Sequence, residues 1–321
     1  MLVRKTICAV ALLFAASGFA WAEDSYPSRQ VTIVVPFPAG GPADLFPRLL
    51  TDPLRAALGQ AIVIENRSGA GGNTGLEFVA RAAPDGYTLL NAPQLSFSVN
   101  HLLHPNLRVD PRALEPVSVL ATYPTVILAR ADLPVDSLAD LIAYAKANPG
   151  KLSYGSQGLG QIGHLTIEAL NLREGLKTVH VPYRGSAPAI NDLLAGQIDI
   201  LADTMLAGMQ HVQSGKLKLI AVGSPERLKT FPAVKTFNET VPGYFSDTWM
   251  AIAAPATTPK GLTQQLSAVI AKAMQTPDVV QRIRDLYAEP LGSSPEQMRT
   301  LIQESYNRWA PVITQANIRI D

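Results

Sequence analysis

One cysteine stands in the 321 residues, Cys8, and it falls inside an apolar stretch at the start of the chain. A disulfide framework is therefore excluded, and stability has to come from a core, which about 300 residues in one or two lobes can supply. Charge of one sign is lacking too: 27 basic residues face 26 acidic ones. No basic run marks a nucleic-acid or anionic membrane surface. No second apolar stretch is long enough to span a bilayer. Catalytic signatures are also missing. There is no G-x-x-x-x-G-K-[ST] loop, and Tyr154-Gly-Ser-Gln-Gly misses the G-x-S-x-G elbow because residue 154 is tyrosine. His101-Leu-Leu-His104 has helical i, i+3 spacing, but no nearby Cys, Asp or Glu completes a zinc set. Paired carboxylates at catalytic spacing are absent. No enzyme, metal or cofactor is expected.

What is present begins with an address. Arg4-Lys5 precedes a small, apolar run from Thr6 to Ala20, and Ala20-Trp21-Ala22 is a small-x-small cleavage site. This reads as a secretory signal peptide over residues 1–22, cleaved after Ala22, and places the protein in the periplasm. Losing Arg4 and Lys5 leaves 25 basic against 26 acidic residues, a net −1.

The stretch Val31-Thr-Ile-Val-Val-Pro-Phe-Pro-Ala-Gly-Gly-Pro-Ala-Asp44 organises the rest. A β-branched apolar run reads as a buried strand, Pro36 and Pro38 stop it, and Gly40-Gly41 turns. Pro42-Ala-Asp44 opens a helix through Leu45, Leu49, Leu50, Leu54 and Leu58. A helix start aims unpaired amides, and the positive end of a dipole, at whatever occupies the loop. No Lys or Arg lies between Val31 and Pro47, so an anion there would be held by main chain. A glycine in a βα loop is also what any α/β domain needs. The design recurs, however: a strand at 151–154, a glycine loop at 155–163 and a helix from His164.

Strands alternate with helices along the chain, which predicts an α/β protein with parallel sheets covered by helices. The length predicts two lobes. Strands at 114–121 and 125–129, broken by Thr122-Tyr-Pro124, carry the chain across, and it returns near 246–249. Lobe 1 then takes residues 23–122 and 247–321, with the C-terminal helices packed on it, and lobe 2 takes 123–246. Ligands in open α/β sheets sit beyond the C-terminal strand ends. Those ends place residues 37–44, 71–75 (with Asn73 and Thr74) and Gln94 on one side of a cleft. Residues 155–164, 182–187 and Asp203 face them.

Gly158-Leu-Gly-Gln-Ile-Gly163 fits G-x-G-x-x-G between strand and helix. The acid that should end the next strand is missing, since Val179-His-Val181 runs into Pro-Tyr-Arg184. An NADP-binding oxidoreductase, with Arg184 at a 2′-phosphate, remains the alternative.

Several motifs together resemble the Bug family, the periplasmic solute receptors of tripartite tricarboxylate transporters. They are Val35-Pro-Phe-Pro-Ala-Gly-Gly-Pro-Ala-Asp44, Glu65-Asn-Arg-x-Gly-Ala-Gly-Gly-Asn-x-Gly75 and Pro84-Asp-Gly-Tyr-Thr-Leu-Leu90. Lys151-Leu-Ser-Tyr-Gly-Ser156, His164-Leu165, Val181-Pro-Tyr-Arg-Gly-Ser-Ala-Pro-Ala189 and Asp192-Leu-Leu-Ala-Gly-Gln-Ile-Asp199 continue the likeness in order. The resemblance implies a two-lobed type II periplasmic binding protein fold joined by two crossover strands. It implies a monomer that grips a small carboxylate, largely with main-chain donors, and delivers it to membrane transporter subunits. Carried over by position, the grip falls on Phe37, Ala39, Gly40, Gly41 and Asp44. Opposite are Ser156, Gly158, Gly160, Gln161 and His164, with Arg184, Ala187 and Asp203 nearby. The chain departs from the family's usual residues at Ser68 (usually Pro), at Gln161 (usually a small hydroxyl residue) and at Asp203-Thr204 (usually Asp-Asn). These departures bear on which ligand is bound, not on the class.

Overall fold

The structure, a computed structural model, describes residues 26–320, and the expected signal peptide lies outside the described residues. In chain order the elements are β1 (Val31–Val35), α1 (Pro42–Leu49), α2 (Thr51–Leu58), β2 (Ile62–Asn66), α3 (Asn73–Ala80), β3 (Thr88–Pro93), α4 (Gln94–Ser98), α5 (Asn100–Leu103) and β4 (Glu115–Arg130). Then follow α6 (Leu138–Ala147), β5 (Ser153–Ser156), α7 (Ile162–Glu174), β6 (Val179–Pro182), α8 (Ser186–Leu194), β7 (Ile200–Thr204), α9 (Met205–Gln213) and β8 (Leu217–Val222). The chain finishes with α10 (Phe237–Thr240), β9 (Asp247–Ala254), α11 (Lys260–Met274), α12 (Pro277–Asp285), β10 (Glu289–Pro290) and α13 (Pro295–Gln315).

The fold is the two-lobed α/β arrangement, built on a sheet ordered β2-β1-β3-β9-β4-β7-β5-β6. Parallel pairing is confined to the outer strands: β1 with β2 and β3, and β5 with β6 and β7. The strands that carry the chain between lobes pair antiparallel. Helices cover both faces of each half, with separate apolar clusters on either side.

Two sequence expectations are corrected. The break expected at Thr122-Tyr-Pro124 does not exist, because β4 runs unbroken for 16 residues. Its first half pairs with β9 as far as Pro124 opposite Asp247, and its second half pairs with β7 from Thr125 opposite Thr204. Pro124 lacks an amide hydrogen, but it falls where the strand changes partners, so little ladder is lost. The helix expected from Pro42 to Leu58 is two helices that meet at Leu50. A continuous helix would press the Pro53 ring on the carbonyl of Leu49 and leave that carbonyl without a donor.

The last helix is not confined to one lobe. Met298, in its first turn, joins the cluster of Phe97 and Trp249, whereas Trp309 and Ile313 join Leu165 and Leu170 of α7. Ser305 Oγ donates to Ser98 Oγ at 2.8 Å, and Arg308 pairs with Asp247 at the start of β9. No described helix is long and apolar enough to cross a membrane.

Candidate functional site

A cleft of about 470 Å³ lies between the two halves, where β1, β3, β5 and β7 run out into their loops. Phe37, Ala39 and Gly41 line the first wall. Gly41 caps α1 with extended backbone (φ −87°, ψ 172°), and no side chain satisfies the helix amides. The N–H groups of Ala39, Gly41 and Ala43 take no acceptor among the described residues. Gly40 differs. At φ +94° it donates its N–H to Asp44 Oδ2 at 3.0 Å. Asp44 is 2 % exposed and also accepts from Arg48 Nε and Asn66 Nδ2, both at 2.9 Å. Burial works against its charge, but the bonds from Arg48, Gly40 and Asn66 outweigh burial and hold the carboxyl at about 2. Gly40 and Asp44 thus form a brace behind the wall.

Asn73 is buried and accepts from Asn100 Nδ2 at 2.7 Å, and it is Asn100 that reaches the cleft. Thr74 is exposed beside Gly69, and the loop before it contributes Gly71 to the wall. Gln94 is buried and ties β3 to β9 by donating to the Asp247 carbonyl at 3.3 Å, while its neighbours Pro93, Leu95 and Ser96 line the cleft.

On the second wall the cleft is lined by Gly160, Gln161, Arg184, Ala187 and Asp203. Ser156, Gly158 and His164 stand behind it. Ser156 Oγ lies 2.7 Å from His180 Nε2 and 3.1 Å from the Gly158 carbonyl. His164 Nδ1 accepts the Gly160 N–H at 3.0 Å, which requires an unprotonated nitrogen. The two imidazoles stack with centroids 4.0 Å apart. Burial, then the neighbouring His180, pushes His164 down to about 3, and burial pushes His180 down to about 4. The Ser156–His180 pair gave no sequence signal, because His180 sits in a plain Val-His-Val alternation. Ser156 is fully buried, and among the described residues no carboxylate hydrogen-bonds His180. The pair staples the loop to β6.

The amides of residues 156–163 are largely committed inward. Gly158 donates to Ser156 Oγ, Gly160 to His164, Gln161 to the Gly158 carbonyl and Gly163 to Gln157 Oε1. Gly163 is required there, since a Cβ would lie 2.0 Å from the Ala202 carbonyl oxygen. This loop leaves no diphosphate cradle, and β6 ends at Pro182 without an acid, so the NADP alternative finds no support. The turn after β6 behaves otherwise. Gly185 caps α8 with no side-chain bond, and the amides of Ser186 and Ala187 take no acceptor among the described residues. Arg184 is exposed on the same turn.

Sequence reasoning missed the lining residues Tyr123 and Ile320, and it placed Gln157 and Ser186 within the spans facing the cleft without singling them out. Gln157 and Ser186 lay inside quoted motifs, where glycine and arginine drew the attention. Ile320 had no signal. It follows α13, donates its N–H to the Leu103 carbonyl at 2.8 Å and packs its side chain against Gly160.

The sequence pattern described as "Tripartite tricarboxylate transporter family receptor" matches residues 46–318. Protein BugT of Bordetella pertussis is 34% identical over 325 residues, covering 100% of both chains. Among solved structures, the periplasmic binding protein BugD superposes with a TM-score of 0.80 at 35% identity, covering 92% of this chain and 100% of its own. An adipate-bound protein of R. palustris gives 0.83 at 34% identity, with 92% and 100% covered. Malate-bound MatC of Rhodopseudomonas palustris gives 0.79 at 33% identity, with 90% and 100% covered. The chain belongs to the tripartite tricarboxylate transporter receptor family, the solute-binding receptors that include the Bug proteins.

Proposed function

We propose that the mature protein captures a small carboxylate in the periplasm and delivers it, as a monomer, to membrane subunits of a tripartite tricarboxylate-type transporter. The observation that carries this reading is the pair of uncapped helix starts, α1 and α8, whose free amides meet at one cleft beside Arg184. Adipate and malate in the related structures are carboxylates of a size that such a cleft accommodates. Lobe 1 takes residues 23–122 and 247–321 and lobe 2 takes 123–246, with α13 leaning on both. The amides of Ala39, Gly41 and Ala43 hold the carboxylate on one side and those of Ser186 and Ala187 on the other.

The test is a thermal-shift panel of mono-, di- and tricarboxylic acids on the purified mature protein, followed by calorimetry and mass spectrometry. A ligand at 100 times its Kd adds about 2.7 kcal/mol of stability. One acid should bind stoichiometrically and be recovered unchanged. Turnover of that acid would sink the receptor reading, and saturable micromolar NADPH binding would revive the alternative.

A further inference from the structure

A short segment after α13 supplies part of the cleft wall. The helix is capped at Ala316, and Asn317 follows at φ +51°, the left-handed conformation that asparagine tolerates better than most residues. The Asn317 N–H donates to the Thr314 carbonyl at 3.2 Å, and the Ile318 N–H reaches back to the Ile313 carbonyl at 2.9 Å. These are the two bonds of a Schellman motif, and the buried Ile313 and Ile318 occupy the positions whose apolar contact accompanies it. The cap fixes the direction in which the chain leaves the helix. Ile318 is buried, Arg319 exposed and Ile320 half-buried, so the two isoleucines turn inward.

Ile320 spans the seam between the two halves. Its N–H donates to the Leu103 carbonyl at 2.8 Å, which pins the segment to α5. Its side chain lies against Gly160, in the loop between β5 and α7: a Cβ built on Gly160 would meet Ile320 Cδ1 at 2.6 Å and both terminal carbons of Leu103 at 3.2 Å. Ile320 thus fills the space that a side chain at residue 160 would take. Leu103, Gly160 and Ile320 all line the cleft. Leu103 belongs to the buried core, whereas Ile320 packs on that core from outside, so a change in its size alters the cleft before the core. We infer that Ile320 is a specificity-determining residue, the side chain that limits how far the carbon skeleton of a bound carboxylate extends toward Leu103 and Gly160. This rests on the receptor reading above. Amides at α1 and α8 fix the anionic end, and this apolar corner measures the rest. One methylene more or less against an apolar wall changes recognition about 10- to 200-fold, so a single side chain there is enough to choose among homologous acids.

The experiment is calorimetry with straight-chain dicarboxylates from malonate to suberate and straight-chain monocarboxylates from acetate to octanoate. It compares the wild-type mature protein with Ile320→Ala and Ile320→Phe, each also melted without ligand. Ile320→Ala should raise the affinity of the next longer acid, relative to the acid that the wild type prefers, by at least about tenfold. Ile320→Phe should move the preference toward shorter acids, and Ile320→Ala carries the test by itself if the larger side chain does not fold. A length profile that stays the same in the variants would overturn the inference and leave the receptor reading intact. Equal weakening of every acid would do the same, because a merely structural role predicts it. Binding by no carboxylate at all would overturn both.

Discussion

Gly41→Val isolates the anion grip from the fold. Gly41 has φ −87° and ψ 172°, extended backbone that a β-branched residue adopts without strain. A Cβ built there meets nothing within 4 Å, so the side chain enters the open cleft rather than the core. Stability without ligand should therefore change by no more than about 1 kcal/mol. Binding should suffer far more. The isopropyl group fills the space in front of the Gly41 and Ala43 amides, and two charge-assisted hydrogen bonds are lost. At about 1.5–3 kcal/mol each, the loss is about 3–6 kcal/mol, or about 10²- to 10⁴-fold in Kd.

Gly40→Val is the poorer probe, although it stands one residue away. Its φ of +94° strains any side chain, and its N–H belongs to the Asp44 brace. Weak binding by that variant would mix a disturbed loop with a blocked site. The assay for Gly41→Val is calorimetry with the tightest acid of the panel, paired with thermal melting of the empty protein. Wild-type affinity together with wild-type melting would refute the placement of the carboxylate at the start of α1.

Other outcomes follow from the same geometry. Arg184→Ala removes an exposed guanidinium and should weaken binding by about 1 kcal/mol, whereas complete loss in calorimetry would make Arg184 the main counter-ion. Gly163→Ala drives a Cβ toward the Ala202 carbonyl oxygen and should lower stability in urea by about 3 kcal/mol, and an unchanged midpoint would contradict the close approach of α7 to β7. His164 and His180 have native pKa values of about 3 and 4, below the unfolded value of about 6.5, so stability is lost as pH falls from 6.5. Asp203 at about 6 lies above its unfolded 3.8 and opposes this between those values, leaving a net loss of roughly 1 kcal/mol per pH unit between about pH 6 and 4. Urea unfolding across that range should show the loss, Asp203→Asn should steepen it, and a flat profile would refute the neutral histidine stack.

The first strand was legible because Val31–Val35 is a short, almost wholly apolar run stopped by Pro36, a pattern set by neighbours in sequence. Continuity of β4 was not, because Pro124 is harmless only at a changeover between partner strands that lie far along the chain. The split of the first helix was within reach, since Pro53 and Leu49 stand four apart. The reach of α13 and Ile320 into the second half depends on tertiary packing alone.

Donor occupancy was the part of the site least open to sequence reasoning. A glycine loop before a helix announces amides but not whether they are free. At residues 156–163, side chains of Ser156, Gln157 and His164 turn back to take those amides, and their ability to do so depends on the backbone that Gly158 and Gly160 adopt at positive φ. At 184–187 no such side chain intervenes among the described residues. The loop that reads most plainly as a cradle thus holds itself, and on this wall the free amides of Ser186 and Ala187 lie beside Arg184. Arg184 and main chain are therefore neighbours on one turn, not rival counter-ions in separate places. An anion seated at α8 meets both, and removing the arginine leaves the amides of Ser186 and Ala187 to hold it, which is why a modest loss is expected from Arg184→Ala and a severe one from blocking the opposite amides at Gly41.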